Sequence, residues 1–164
     1  MGVALIEILI TGGTIAKSYD EISGELIFDE EHLKKMILQS RVNFKPKITK
    51  LFLKDSLDMD EDDRQMIYEA VNSSSSKKII ILHGTDTMVQ TASKLSTITG
   101  KRIILTGAMI PYAFKNSDAL FNLGSAFGAI GTNESGVFIL MNGTTFKWDE
   151  VKKDKKLGEF VKKI

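Results

Sequence analysis

The chain has no cysteine in its 164 residues. That excludes disulfides, thiolate metal sites and a cysteine nucleophile, and it fits a cytoplasmic protein. Histidine is scarce as well. His32 and His83 are far apart, which leaves little from which to build a transition-metal site. Neither sign of charge dominates: the formal net charge is +1, so the chain as a whole offers no electrostatic case for nucleic acid. No apolar run approaches the roughly 20 residues that a membrane helix needs. The start, Met1-Gly2-Val3-Ala4-Leu5-Ile6-Glu7, has no basic segment and is interrupted by Glu7, so it does not read as a signal peptide. The sequence carries neither the Gly-x-Gly-x-x-Gly dinucleotide spacing nor a Gly-Lys-Ser/Thr phosphate loop, and no cofactor is expected.

A composition of 43% hydrophobic and 26% charged residues suits one globular domain with a sizeable core. Aliphatic runs at 5–10, 47–53, 78–82, 103–105 and 137–140 read as short buried strands. Helical spacing falls between them. Leu33, Met36, Ile37 and Leu38 mark a helix over 30–39, and Met66, Ile67, Ala70 and Val71 mark one over 60–71. Met88, Ala92, Leu95 and Ile98 mark a third over 87–98. A fourth, at about 118–131, is capped by Ser117 or Asn116. Residues 15–29 form a long loop with a short hairpin around Ser23-Gly24. Ser73 to Ser76 read as a surface connector. Residues 147–163 mix seven lysines with acidic residues and read as a solvated tail or short helix.

Repeated strand–helix alternation predicts a three-layer α/β/α domain, flavodoxin- or Rossmann-like, with a parallel sheet of about five strands in the order 2-1-3-4-5. In that order the first and third strands are neighbours at the switch point, where ligands bind outside the carboxyl ends. Each of these strands is followed by a hydroxyl-rich turn: Thr11-Gly12-Gly13-Thr14 after the first and His83-Gly84-Thr85-Asp86-Thr87 after the third. The glycines permit close approach to a ligand, and the hydroxyls of Thr11 and Thr14 suit a short polar ligand or nucleophilic catalysis. A threonine nucleophile needs a base, and Asp86, Lys153, His83 and the Tyr19 phenolate are candidates. Two of these have plainer readings, His83 as a hydrogen-bonded core residue and Asp86 as a helix cap, and His32 reads as a surface residue. Asp55-Ser56-Leu57-Asp58-Met59-Asp60 follows the second strand as a polar turn at the same edge.

These segments resemble the bacterial-type L-asparaginases, the asparaginase/glutaminase family. The resemblance runs through Thr11-Gly12-Gly13-Thr14-Ile15-Ala16, Asp55-Ser56-Leu57-Asp58-Met59 and His83-Gly84-Thr85-Asp86-Thr87-Met88. It continues through Thr106-Gly107-Ala108-Met109-Ile110-Pro111, Ser117-Asp118 with Phe121-Asn122-Leu123, and Met141-Asn142. It implies an amidohydrolase acting on asparagine or a similar small amide, with Thr14 as nucleophile and Tyr19 supporting it. It implies that Thr85, Asp86 and Lys153 (Lys152 as fallback) form a second triad, and that Asp86 also binds the substrate's α-ammonium. Ser56 would contact the α-carboxylate, and Gly84, Ala108 and the Gly13 turn would line the amide with backbone. Negative charge building on the carbonyl oxygen suits backbone N–H donors. Lys153 is a base only where burial disfavours its charge, which a neighbouring Asp86 opposes.

Two departures from the family pattern stand out. Leu57 occupies a position where many members carry a polar residue, often glutamine, that binds the α-carboxylate. The sequence also matches only an amino-terminal domain, spanning 1–164, without the family's smaller carboxyl-terminal domain. The resemblance implies a homodimer or larger homo-oligomer. Against the enzyme reading stand a non-catalytic amino-acid sensor that keeps the pocket, and an interaction protein whose pocket is vestigial.

Overall fold

The computed structural model describes residues 5–164, so Met1–Ala4, on which the signal-peptide reading partly rests, lie outside the described residues. In chain order the elements are β1 (Ile6–Gly12), β2 (Lys17–Asp20), β3 (Glu25–Phe28), α1 (Glu30–Gln39), β4 (Lys47–Lys54), α2 (Glu61–Ser73), β5 (Lys78–Leu82) and α3 (Met88–Leu95). Then come β6 (Arg102–Thr106), α4 (Ala119–Ala129), β7 (Gly136–Met141), β8 (Thr144–Lys147), β9 (Val151–Asp154) and β10 (Glu159–Lys162). Single 3₁₀ turns occupy Thr14–Ala16, Ser56–Asp58 and Trp148–Glu150.

The main sheet has six strands in the order β4-β1-β5-β6-β7-β8. Its first five are parallel, in the order expected from the sequence; β8 adds an antiparallel edge. Strand pleat divides the aliphatic residues between two layers. Ile8, Ile10, Ile80, Leu82 and Ile104 face α1 and α4, packing with Leu33, Met36, Leu123 and Phe127. Leu9, Ile79, Ile81, Ile103 and Leu105 face α2 and α3, packing with Ile67, Val71, Met88 and Leu95. Both faces are covered, which is why these strands are aliphatic without alternation.

Local chemistry starts and stops the elements. Asp60 and Asp63 form a capping box at α2, and Asp29 accepts from Glu31 N–H at α1. α4 departs from expectation: Asp118, not Ser117 or Asn116, stands at its N-cap, and its carboxylate binds other backbone groups. Leu38 and Met66, expected on apolar faces, are exposed, and α3 stops at Leu95. The serine connector is partly interior. Ser76 is buried, and the Ser74 hydroxyl donates to buried Glu7.

The expected tail at 147–163 is instead a strand, a turn and a hairpin. Asn142 (φ 49°) and Gly143 (φ 84°) form the two-residue turn that folds β8 back on β7. Val151 and Phe160 are buried in the α3 layer, and this anchors the β9–β10 hairpin. The lysines lie mostly outward, which is why charge alone suggested a solvated segment.

Candidate functional site

The turns after β1, β4 and β5 meet at the carboxyl edge of the sheet. Their approach is so close that it dictates glycine. A Cβ on Gly13 (φ +79°) would lie 2.5 Å from Gly84 Cα, and one on Gly84 would lie 2.6 Å from both Cβ and Oγ of Ser56. Thr87 ties two of these turns together: its hydroxyl donates to the Ser56 carbonyl at 2.8 Å and its N–H to Ser56 Oγ at 3.4 Å. Ser56 is fully buried.

Thr14 follows Gly13 in the 3₁₀ turn and is half-exposed, and among the described residues its hydroxyl makes no hydrogen bond. Thr11 is different. It is buried, and its hydroxyl donates to the Leu82 carbonyl at 2.8 Å, so it joins β1 to β5 rather than facing a ligand.

Thr85, Asp86 and Lys153 come together across the fold. Lys153 Nζ donates to Thr85 Oγ1 and to Asp86 Oδ1, each at 2.7 Å. The pleat of β9 decides between the two lysines: Lys153 shares a face with buried Val151, and Lys152 points outward. The Lys153 side chain is only 12% exposed and its bond to Thr85 lies in a partly dry setting, while its bond to the 33% exposed Asp86 side chain faces solvent. Asp86 is committed to this ion pair, and the α3 cap position falls to Thr87.

His83 is a core residue, not a base at the surface. Nδ1 lies 2.7 Å from the Gly84 carbonyl and Nε2 lies 2.8 Å from Thr91 Oγ1. A carbonyl only accepts, so Nδ1 carries the hydrogen and Nε2 accepts from the threonine. Complete burial pushes the ring's pKa down to about 4, so the ring is neutral. His32 is half-buried against the edge of the Tyr112 ring rather than free at the surface.

Tyr19 is not brought to Thr14. It lies on β2, 57% exposed, with its hydroxyl beside Gly24 across its own hairpin, because the pairing Tyr19↔Leu26 directs the ring along the strand pair. Lys17, one pleat earlier on the same face, reaches the site instead. Its ammonium pairs with Asp55 at 2.5 Å and holds that carboxyl below its usual range. The sequence signal for Lys17 was its two-residue spacing from Tyr19, and it was missed. Leu57 is 66% exposed on the Ser56–Asp58 turn and presents no polar group there.

The fourth wall comes from the loop after β6. Asp118 accepts from Met109 N–H (3.0 and 3.1 Å) and from Ile110 N–H (3.0 Å). Asn122 donates to the Gly107 carbonyl at 2.9 Å and to Asp118 at 3.0 Å, and Asn142 donates to Asp118 at 3.2 Å. Ala108 is fully buried between these bonds. Among the described residues no group of three or more His, Cys, Asp or Glu side chains could hold a metal ion, and no helix is long and apolar enough to cross a membrane.

Together these features define an α/β protein whose hydroxyl-rich turns converge at the switch point of a parallel sheet, with a Thr/Asp/Lys cluster in which Thr85 is buried, Lys153 is partly buried and Asp86 is exposed. Residues 5–157 match the family model described as asparaginase, N-terminal, and the chain belongs to the asparaginase family. It is 36% identical to L-asparaginase 1 of Escherichia coli K12 over 133 residues, which is 72% of this chain and 38% of that protein. It is 35% identical over 149 residues to a glutamyl-tRNA(Gln) amidotransferase component of Methanococcus maripaludis, covering 85% of this chain and 35% of that one. Among solved structures, the thermostable L-asparaginase from Thermococcus kodakarensis superposes with a TM-score of 0.84 at 28% identity, over 96% of this chain and 50% of that one. The chain thus spans about a third of the length of these curated relatives.

Proposed function

We propose that the chain is an amidohydrolase that cleaves the side-chain amide of L-asparagine or a similar small amide. The observation that carries the reading is the pair of hydrogen bonds that Lys153 donates to Thr85 and Asp86, residues 68 and 67 positions away in the chain. A structural salt bridge needs no threonine hydroxyl beside it on the same ammonium. A proton path does.

In this reading Thr14 Oγ attacks the amide carbon and loses its proton to a general base. The C–N bond of the tetrahedral adduct breaks and the departing nitrogen takes a proton, so ammonia leaves and an ester remains on Thr14. Water activated by Thr85, in contact with Lys153, then attacks the ester. The carboxylic acid leaves, and Thr14 regains its proton. The remaining Asp86 oxygen meets the substrate's ammonium, and Ser56 meets its α-carboxylate. Tyr19 supports Thr14 only if the β2–β3 hairpin swings inward. We further propose a homo-oligomer whose neighbouring copy, or a second domain, closes the exposed Leu57 side of the site.

The test is ammonia release from asparagine, glutamine and a panel of small amides, comparing the unsubstituted chain with Thr14→Ala and Thr85→Val at concentrations that populate an oligomer. Release abolished by Thr14→Ala is the expected result. No release from any amide would sink the enzyme reading. Exposed Leu57 favours one alternative, an amino-acid-binding domain without turnover. Ligand-induced stabilisation without ammonia would identify it.

A further inference from the structure

The amino end of the sheet, away from the turns that carry Thr14 and Thr85, holds two cations side by side. Lys78 opens β5 and Arg102 opens β6, and the two are Cα partners in the parallel pairing. Residues in register share a face, here the face of Ile80 and Ile104 that α4 covers. Both side chains reach the chain that leaves α4. Lys78 Nζ donates to the Gly131 carbonyl at 2.9 Å. Arg102 Nε donates to the Ala129 carbonyl at 3.0 Å, and Nη1 donates to the Glu134 carbonyl at 2.9 Å.

Carbonyls beyond a helix C-terminus favour a cation, and that accounts for these three bonds. It does not account for the rest of Arg102. The residue is 6% exposed, and its guanidinium lies over the Phe138 ring, 4.3 Å from the centroid. Burial pushes its pKa below the usual arginine value, against the pull of Glu134. One face is stacked and two nitrogens are bonded, so the planar fork is fixed in place. Nη2 makes no hydrogen bond among the described residues and is open to solvent. A cavity of about 130 Å³ lies at this point, lined by Lys77, Lys78, Arg102, Thr132, Asn133 and Ser135. That is well short of the roughly 300–1,000 Å³ of small-molecule pockets, which leaves an ion-sized ligand. Among the described residues no Asp or Glu lines it. The Glu134 carboxylate stands 3.7 Å from Nη1 on a side chain that is 60% exposed. Two like charges on neighbouring strands repel, and one exposed carboxylate offsets them only in part. An anion between them turns that repulsion into attraction.

We infer that this cavity binds a phosphate group, as inorganic phosphate or as a small phosphate monoester, with Arg102 Nη2 and Lys78 Nζ as its charged donors. A fixed guanidinium edge, an ammonium, and the hydroxyl and amide groups of Thr132, Ser135 and Asn133 offer more donors than one planar carboxylate can use. The site is separate from the Thr85–Asp86–Lys153 cluster and does not rest on the amidohydrolase reading.

The test is calorimetric titration of the chain with inorganic phosphate and, separately, with glycerol 3-phosphate. It is run at about pH 7.5, where a phosphate monoester carries close to two charges, with ionic strength held constant by sodium chloride. Binding of one equivalent is expected. Lys78→Gln should weaken it about tenfold. Lys152→Gln removes the same charge on the β9 hairpin and should leave it within about twofold. Glu134→Gln removes the competing carboxylate and should tighten it about threefold. Stronger binding of inorganic phosphate would make the free ion the occupant, and equal or stronger binding of glycerol 3-phosphate would make it a monoester. Binding of neither, equal losses from Lys78→Gln and Lys152→Gln, or no tightening in Glu134→Gln would overturn the inference. Glu134→Gln alters only an exposed side chain, so it decides the matter even if Lys78→Gln does not fold.

Discussion

Mild acid should destabilise this protein through His83, and the size of the effect follows from the structure. Burial drives the ring's pKa from 6.5 to about 4; the Gly84 bond resists this and the nearby Arg64 charge assists it. In the unfolded chain the ring takes a proton as pH falls through about 6.5, while in the folded chain it stays neutral until about pH 4. Between those values the unfolded state binds more protons, so stability falls as pH falls. The full loss is on the order of 3 kcal/mol, a large share of the roughly 5–15 kcal/mol of a typical domain. Urea unfolding at steps between about pH 7.5 and pH 4.5 would measure it, with His83→Asn as the reference. Asparagine cannot titrate but keeps a donor toward Gly84. Carboxylate titrations common to both proteins cancel in the difference. The advantage of the parent over His83→Asn should be constant near neutrality and shrink by rather more than 1 kcal/mol per pH unit below about 6.5. Parallel curves for the two proteins would refute a neutral buried imidazole.

Glu7 should act in the same direction at lower pH. Burial raises its pKa, but hydrogen bonds from Ser74, Lys47 and Thr49 outweigh burial and leave it below the ordinary value. The stability it provides is present above the unfolded carboxylate range and is lost as pH falls through the folded value, so Glu7→Gln should flatten the acid limb of a stability curve. Gly13→Ala forces a Cβ into the backbone of Gly84, whereas Gly24→Ala (φ +73°) meets nothing nearer than the Tyr19 hydroxyl at 3.8 Å. Thermal melts should show Gly24→Ala costing about 1–2 kcal/mol, for its left-handed backbone alone, and Gly13→Ala well beyond that. Lys153→Met should lower ammonia release by about two orders of magnitude or more while Lys152→Met leaves it unchanged; equal losses would count against the pleat argument. Asp55→Asn should loosen the β2–β3 hairpin, seen as faster limited proteolysis at Glu21–Gly24, because the Lys17 pair is what ties that hairpin to the β4 turn.

The parallel sheet was legible because each of its strands is a short aliphatic run closed by a turn signal. Burial on both faces leaves no other use for such a run. The β2–β3 hairpin was legible from Ser23-Gly24. The β9–β10 hairpin was not, although it uses the same turn. In the first, Asp20 accepts from the N–H groups of Ile22 and Ser23, and Gly24 (φ +73°) closes on the Asp20 carbonyl. In the second, Asp154 accepts from Lys156 and Leu157, and Gly158 (φ +67°) closes on the Asp154 carbonyl. The shared Asp-x-x-x-Gly spacing was present in the letters, but the run of lysines around it dominated the reading. Asn142-Gly143 was likewise a plain hairpin signal. At the site, Thr14, Ser56, Thr85 and Asp86 stand out because motifs mark them. The pairing of Lys17 with Asp55, and the bonds of His83 to Gly84 and of Asp118 to the N–H groups of Met109 and Ile110, depend on how the turns meet in space, which no motif in the chain marks.

The β9–β10 hairpin also bears on how the molecule is made. Synthesis from the amino terminus completes all five parallel strands by Met141, with Thr14, Ser56, Thr85 and Asp86 already in place. Lys153 follows, and it is held only once Phe160 has paired opposite it and entered the α3 layer. A nascent chain can therefore bury its central core on the ribosome while its Thr85–Asp86 turn still lacks an ammonium. The completed cluster appears only after the last hairpin has left the exit tunnel.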